Sequence, residues 1–338
     1  MKKVKITGIR KAEIINVTVP EIIGDWALVK ILVAPMCTEY KLFNTGKENP
    51  PLGHEAVGEV IKVSQSGKVH VGDRVVVMPG YPCGKCDLCV SGEYIHCVNF
   101  IDFKGFTGSL DGSDTYAQYI IKPSWLLPVI PDHISNEHAS MLCCGLGPTF
   151  GAMETMEVNC NSSVLISGIG PVGLGGVVNG VFRGAKVICV SRNEYRSKLA
   201  LDLGASDIVN PDDPDIISII KDLTNGIGVD LSIDCSGDET AQQLCINSTK
   251  RKGQIAFVGE SGRIQLEVSK QLIRNGLTLH GIWHYNLNDV PKLFQIVEAC
   301  KDSLDKMITH KFPLDDVMKA WDMQTTRQYG KVLLYPWA

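Results

Sequence analysis

The chain has 338 residues, of which 44% are hydrophobic and 21% charged, and its net charge is -4. That length is enough for two domains with well-filled cores, and the composition is that of a soluble globular protein. The acidic balance leaves no electrostatic footprint for nucleic acid.

The opening Met1-Lys2-Lys3-Val4-Lys5 is basic, but no apolar signal core follows it, so the expectation is a cytoplasmic protein. Short β-rich runs come next: Val4 to Ile6, Ala12 to Ile15 and Ala27 to Val33, broken by Pro20, Gly24 and Pro35. Cys37 stands just beyond the third run, in Met36-Cys37-Thr38-Glu39-Tyr40. Gly53-His54-Glu55 sets a histidine beside a carboxylate, a pairing that suits a metal ligand with an outer partner. Val57 to Val63, Arg74 to Met78 and Tyr116 to Ile121 continue the strand pattern, with a turn at Val71-Gly72-Asp73. Short strands with frequent turns predict a compact β-rich domain.

Within this region Cys83, Cys86, Cys89 and Cys97 follow a C-x2-C-x2-C-x7-C spacing. Four thiolates in one loop suit tetrahedral zinc, and a closed four-cysteine shell leaves no open position, so that zinc would be structural. An iron–sulfur cluster is the alternative that four cysteines allow. Twelve cysteines in a chain without a signal peptide point to thiols and metal ligands rather than disulfides. Cys143-Cys144 close the β-rich half. Together with Cys37 and His54, one of them would complete an open Cys, His, Cys set, the arrangement of a catalytic zinc that acts as a Lewis acid on a bound oxygen.

From Ser163 the rhythm changes to alternating strands and helices. Val164-Leu165-Ile166 reads as a buried strand, followed by Gly168-Ile169-Gly170-Pro171-Val172-Gly173 and a helix to Phe182. In this G-x-G-x-x-G turn Gly168 permits the tight bend, Gly170 lets backbone approach a pyrophosphate, and Gly173 packs helix on strand. The whole turn, Pro171 and Val172 included, is the expected cofactor-binding segment. Val158 to Phe182 carries no charge and is long enough to span a bilayer, but its glycines and asparagines fit a buried strand–turn–helix better.

Further strands are expected at Lys186 to Val190, Val229 to Asp234, Gln254 to Val258 and Leu277 to Trp283. Helices are expected at Glu194 to Leu203, Asp215 to Thr224, Thr240 to Thr249 and Pro291 to Cys300. This is the βαβ series of a doubly wound parallel sheet. Trp283, His284 and Tyr285 follow a strand end and are candidates for the cofactor crevice or for an edge. The tail, with a helix at Leu314 to Met323 and a strand at Lys331 to Leu334, is expected to fold back onto the first domain.

The second strand of the series ends in Ser191-Arg192-Asn193, without the acid that would bind a ribose 2′-hydroxyl. Ser191 is small and neutral, and Arg192 can pair with a 2′-phosphate. The expected coenzyme is therefore NADP(H) ahead of NAD(H).

Gly53-His54-Glu55-x-x-Gly58, Val71-Gly72-Asp73-Arg74-Val75, the four-cysteine lobe, the glycine turn and Gly330-Lys331-Val332 together resemble the zinc-dependent medium-chain dehydrogenase/reductase family, which includes alcohol, polyol and threonine dehydrogenases. The resemblance covers nearly the whole chain. It implies an α/β protein with a GroES-like β-rich catalytic domain over residues 1–155 and 290–338, a structural-zinc lobe at 80–100, and a Rossmann domain over 156–289.

It also implies a zinc oxidoreductase that moves a hydride between a nicotinamide and an alcohol, ketone or aldehyde, with polyols and amino-polyols open as substrates. Dimers and tetramers are the family's assemblies. His54 matches the zinc histidine, Glu55 its neighbouring carboxylate, and the four lobe cysteines the structural-zinc ligands. The family reads Cys-x-Ser/Thr-Asp where this chain is one residue shorter. If Thr38 keeps the hydroxyl position, Met36 falls where the cysteine belongs. If Cys37 keeps its place, Glu39 falls where the hydroxyl belongs. Thiolate binds zinc far better than thioether, which favours Cys37, with Thr38, Glu39 and Tyr40 as candidates for the proton route. Cys144, followed by Gly145, fits the third ligand better than Cys143. The rival expectations are an NADPH-dependent alkene or quinone reductase without catalytic zinc, and a nucleotide-binding zinc scaffold without turnover.

Overall fold

The computed structural model describes residues 1–47, 51–64, 67–260 and 262–338. They form two compact units. The first comprises Met1–Cys143, Asn286–Glu298 and Ile308–Ala338, and the second Cys144–Tyr285 and Ala299–Met307.

The first unit begins with an antiparallel hairpin, β1 (Lys2–Gly8) and β2 (Lys11–Asn16). β3 (Trp26–Pro35) is the hub of its larger sheet. It is a ten-residue apolar run interrupted only by Lys30, and it is buried along most of its length, as a strand covered on both faces must be. The short helix α1 (Tyr40–Thr45) follows, then β4 (Ala56–Val63) and β5 (Arg74–Val77). The cysteine lobe carries one turn of α-helix, α2 (Asp87–Val90), and one tighter turn at Tyr94–His96, before α3 (Phe103–Thr107), β6 (Tyr119–Pro123) and α4 (Asn136–Ser140). β4 and β6 both pair antiparallel with β3.

The second unit opens with α5 (Gly147–Thr155), which sequence reading assigns to the first domain. Its hydrogen bonds explain the difference: Asn179 Nδ2 donates to Leu146 O and to Thr149 Oγ1, both at 3.0 Å, fastening this stretch to the next helix. Then come β7 (Ser163–Ser167), α6 (Pro171–Phe182), β8 (Lys186–Val190), α7 (Glu194–Asp202), β9 (Asp207–Val209) and α8 (Ile216–Asp222). β10 (Val229–Asp234), α9 (Glu239–Ser248), β11 (Thr249–Phe257) and β12 (Thr278–Gly281) complete the sheet.

The spatial order β12-β11-β10-β7-β8-β9 is the 3-2-1-4-5-6 order of a Rossmann fold read from the other edge, and every pairing is parallel. The order reverses between β7 and β10, where such folds bind their ligands. Val164, Leu165 and Ile166 of β7 are fully buried there. β9 is not legible in sequence: three residues ending in Asn210-Pro211 give no periodic signal, yet the sheet needs the strand.

The chain returns through α10 (Val290–Ala299), a helix with buried Leu293, Phe294, Ile296 and Val297, and α11 (Lys301–Met307). β13 (Ile308–Pro313), α12 (Val317–Thr326) and β14 (Lys331–Tyr335) close the first unit. β14 pairs antiparallel with β3, so the tail joins the first unit's sheet. The last helix starts three residues later than expected, because a single turn of tighter helix occupies Leu314–Asp316. No helix among the described residues is long and apolar enough to cross a membrane.

Candidate active site and metal centres

Two clusters of metal-ligand type stand out among the described residues. In the first, Cys83, Cys86, Cys89 and Cys97 bring their sulfurs within 4.8 Å of one another. Cys86 and Cys89 are 3.5 Å apart, Cys86 and Cys97 3.8 Å, and Cys83 and Cys89 4.0 Å. Zn–S bonds of about 2.3 Å in a tetrahedron give S–S distances of about 3.8 Å, so the set fits zinc. Backbone N–H groups of Cys83 and Asn99 donate to Cys97 Sγ at 3.3 Å each. The Lys85 N–H is the largest of several influences that pull the Cys83 thiol down to about 6, favouring the thiolate a metal needs.

The second cluster is built from distant segments. Cys37 sits where β3 runs into α1, and His54 and Glu55 enter β4. Cys144 follows Cys143 directly, as the chain leaves the first unit. The ligand atoms of Cys37, His54, Glu55 and Cys144 all lie within 4.8 Å of one another. Cys143 is excluded by direction: it is fully buried, and its Sγ donates to Val77 O at 3.6 Å. Cys37 is tied from behind, its carbonyl accepting from Gln324 Nε2 at 3.1 Å.

Glu39 of the Cys37 segment meets three partners. Its Oε1 lies 2.8 Å from His54 Nδ1. Its Oε2 accepts from Tyr116 O–H at 2.9 Å and from Cys37 N–H at 3.1 Å. Burial pushes this carboxyl up, but the His54 charge, backed by the hydrogen bonds, outweighs it and holds the group at about 2. His54 moves the opposite way: burial lowers it, and Glu39 raises it well above the usual histidine range. Nδ1 of His54 faces the Glu39 carboxylate, as in a carboxylate–histidine–metal arrangement. Thr38 is exposed, whereas Tyr40 packs on the core.

Glu55 is held from the other side by Lys331 of β14. The pair is 2.7 Å apart, with side chains 0% and 1% exposed. Burial raises the Glu55 carboxyl and Lys331 pulls it back. The sequence places Lys331 only in a closing strand. The signal is there all the same, since a lysine inside a buried apolar strand demands a partner.

In the second unit Gly168 has φ +87, and a Cβ there would lie 2.7 Å from Ser236 Cβ. Gly173 cannot carry a side chain either, because its Cβ would run into the Gly168 carbonyl oxygen. Gly170 immediately precedes α6, and Pro171 and Val172 begin the helix, so its first N–H groups lie directly after the turn. Ser191 and Arg192 follow β8. Arg196, on the first turn of α7, brings its guanidinium toward the same bend: a Cβ on Gly170 would be 3.8 Å from its Nη1. Sequence reading missed Arg196 because only the fold brings α7 beside the glycine turn. Trp283 is 52% exposed, while His284 and Tyr285 are buried, Tyr285 edge-on to Phe150 at 5.6 Å.

The Glu39 contact carries a direct expectation. Glu39→Gln should weaken metal affinity at the second cluster by about 10- to 100-fold. Competitive chelator titration measures it, and unchanged affinity would mean that Glu39 does not orient His54.

Residues 24–132 match the alcohol dehydrogenase GroES-like domain, and residues 171–299 match the zinc-binding dehydrogenase family. Sorbitol dehydrogenase of Bacillus subtilis is 30% identical over 99% of this chain and 97% of its own length. L-threonine 3-dehydrogenase of Pyrococcus furiosus is 29% identical, over 95% of this chain and 94% of its own. Among solved structures, zinc dependent alcohol dehydrogenase 2 from Streptococcus pneumonia, in its apo form, is 28% identical with a TM-score of 0.85, covering 99% of this chain and 98% of that one. These matches run through both units and agree with their β-rich and Rossmann architectures: the chain belongs to the zinc-dependent medium-chain dehydrogenase family and is an NAD(P)-dependent oxidoreductase acting on alcohols.

Proposed function

We propose that this chain is a dehydrogenase with one catalytic and one structural zinc that interconverts an alcohol and its carbonyl compound, with NADP(H) preferred over NAD(H). The observation that carries the reading is the convergence of Cys37, His54 and Cys144, with Glu55 beside them, on one small volume. These residues would hold the catalytic zinc, and Cys83, Cys86, Cys89 and Cys97 the structural one. When bound, the zinc supplies Lewis acidity toward a substrate oxygen and the nicotinamide accepts or delivers the hydride.

The chain's own residues supply alignment. Glu39 fixes the His54 ring, and Lys331 fixes the Glu55 carboxylate. Both Glu39 oxygens are engaged and Tyr40 packs inward, so Thr38 is the group we assign to proton transfer beside Cys37. The Gly168–Gly173 turn and the first N–H groups of α6 receive the diphosphate, and Arg192, next to the uncharged Ser191, receives a 2′-phosphate. Sorbitol and threonine dehydrogenases among the relatives make polyols and hydroxy amino acids the first substrates to try.

Steady-state kinetics on a panel of alcohols and carbonyls with both coenzymes tests the reading. Turnover with a higher kcat/KM for NADPH than for NADH is expected. A preference for NADH would overturn the coenzyme assignment, and no turnover across the panel would overturn the reaction.

A further inference from the structure

β8 ends at Val190, and the three residues after it have separate tasks. The Ser191 hydroxyl accepts from Asn193 N–H at 3.0 Å. Asn193 Oδ1 accepts from Arg196 N–H at 2.9 Å and caps α7. Arg192 reaches outward, its side chain 69% exposed, and its Nη2 lies 3.5 Å from Asp212 Oδ1.

Asp212 is brought there by the sheet. β8 and β9 pair with Val190 opposite Val209, and Ser191 N–H donates to Val209 O at 3.0 Å. Beyond Val209 the chain turns on Asn210, whose Oδ1 accepts from Asp212 N–H at 3.0 Å. The next acid has another task, since Asp213 Oδ1 accepts from Asp215 N–H at 2.9 Å. The strand ends thus hold one carboxylate against the one arginine that the coenzyme reading assigns to the 2′-phosphate.

We infer that Asp212 is a specificity-determining residue whose carboxylate competes with the 2′-phosphate of NADP(H) for Arg192 and so limits the preference for the phosphorylated coenzyme. This rests on the NADP(H) reading above. A guanidinium that grips a phosphate through two parallel N–H groups has fewer donors to offer Asp212, and the phosphate sits beside a like charge. NAD(H) has no charge at that position, so Asp212 has nothing to oppose. An exposed ion pair contributes little to stability and is screened by salt, so the effect falls on discrimination between coenzymes at low ionic strength.

Fluorescence titration with NADPH and with NADH tests this on the wild-type protein, Asp212→Asn, Arg192→Gln and the double variant. Asp212→Asn is expected to bind NADPH about threefold to tenfold tighter, with NADH affinity changed by less than about twofold. The gain should be smaller in the Arg192→Gln background, where only the like-charge repulsion is left to relieve. Two results overturn the inference while leaving the coenzyme reading intact: Arg192→Gln weakens NADPH but Asp212→Asn leaves it unchanged, or Asp212→Asn tightens both coenzymes alike. If the wild type binds NADH more tightly and Arg192→Gln does not alter NADPH affinity, the coenzyme reading falls and the inference falls with it.

Discussion

Replacing His54 with alanine is expected to abolish metal binding at the second cluster and to lower turnover by at least about 1,000-fold. The lost donor is the only imidazole of the set, and the remaining donors are two thiols and a carboxylate already bound by Lys331. Lewis acidity of several kcal/mol then disappears from the reaction, which is the origin of the magnitude. Glu39 would also lose its partner at Nδ1, so a modest loss of stability is expected. Metal analysis and steady-state kinetics on the same preparation check both parts. Zinc should remain at the cysteine lobe, whose ligands are untouched. Retained turnover with zinc lost only from the second cluster would show that the ion does not take part in the chemistry.

Lys331→Met should cost about 3–5 kcal/mol of folding stability, the usual loss when one partner of a buried ion pair is removed. The change leaves Glu55, wholly buried, without its closest positive charge. It also loosens the strand that ties the tail to β3. Urea unfolding of Lys331→Met, Glu55→Gln and the double variant forms a double-mutant cycle. The double variant should recover part of the loss, because the unpaired charge is gone. A loss below about 1 kcal/mol in the single variant would mean that Glu55 finds compensation elsewhere.

Much of this site is readable in residues that are close in sequence. The lobe cysteines declare themselves by spacing, and Gly168, Gly170 and Gly173 by the strand before and the helix after them. His54 beside Glu55 is also a local signal. What sequence does not yield are partners that only the fold brings together. Tyr116 approaches Glu39 from 77 positions away, and Lys331 approaches Glu55 from 276. The Cys37 segment is ambiguous in sequence for the same reason. Counting residues against a family pattern cannot show the 2.8 Å contact between Glu39 and His54. β9 is illegible on other grounds, since three residues are too few for any period to register.

Reversible metal removal from the wild-type protein tests the role assigned to a catalytic zinc. Zinc per chain and turnover are followed together as a chelator strips the second cluster and zinc is then restored. Turnover is expected to fall in proportion to the zinc lost from Cys37, His54 and Cys144 and to return when it is replaced, with the cysteine lobe occupied throughout. Undiminished turnover in protein whose only remaining zinc is at Cys83, Cys86, Cys89 and Cys97 would contradict it.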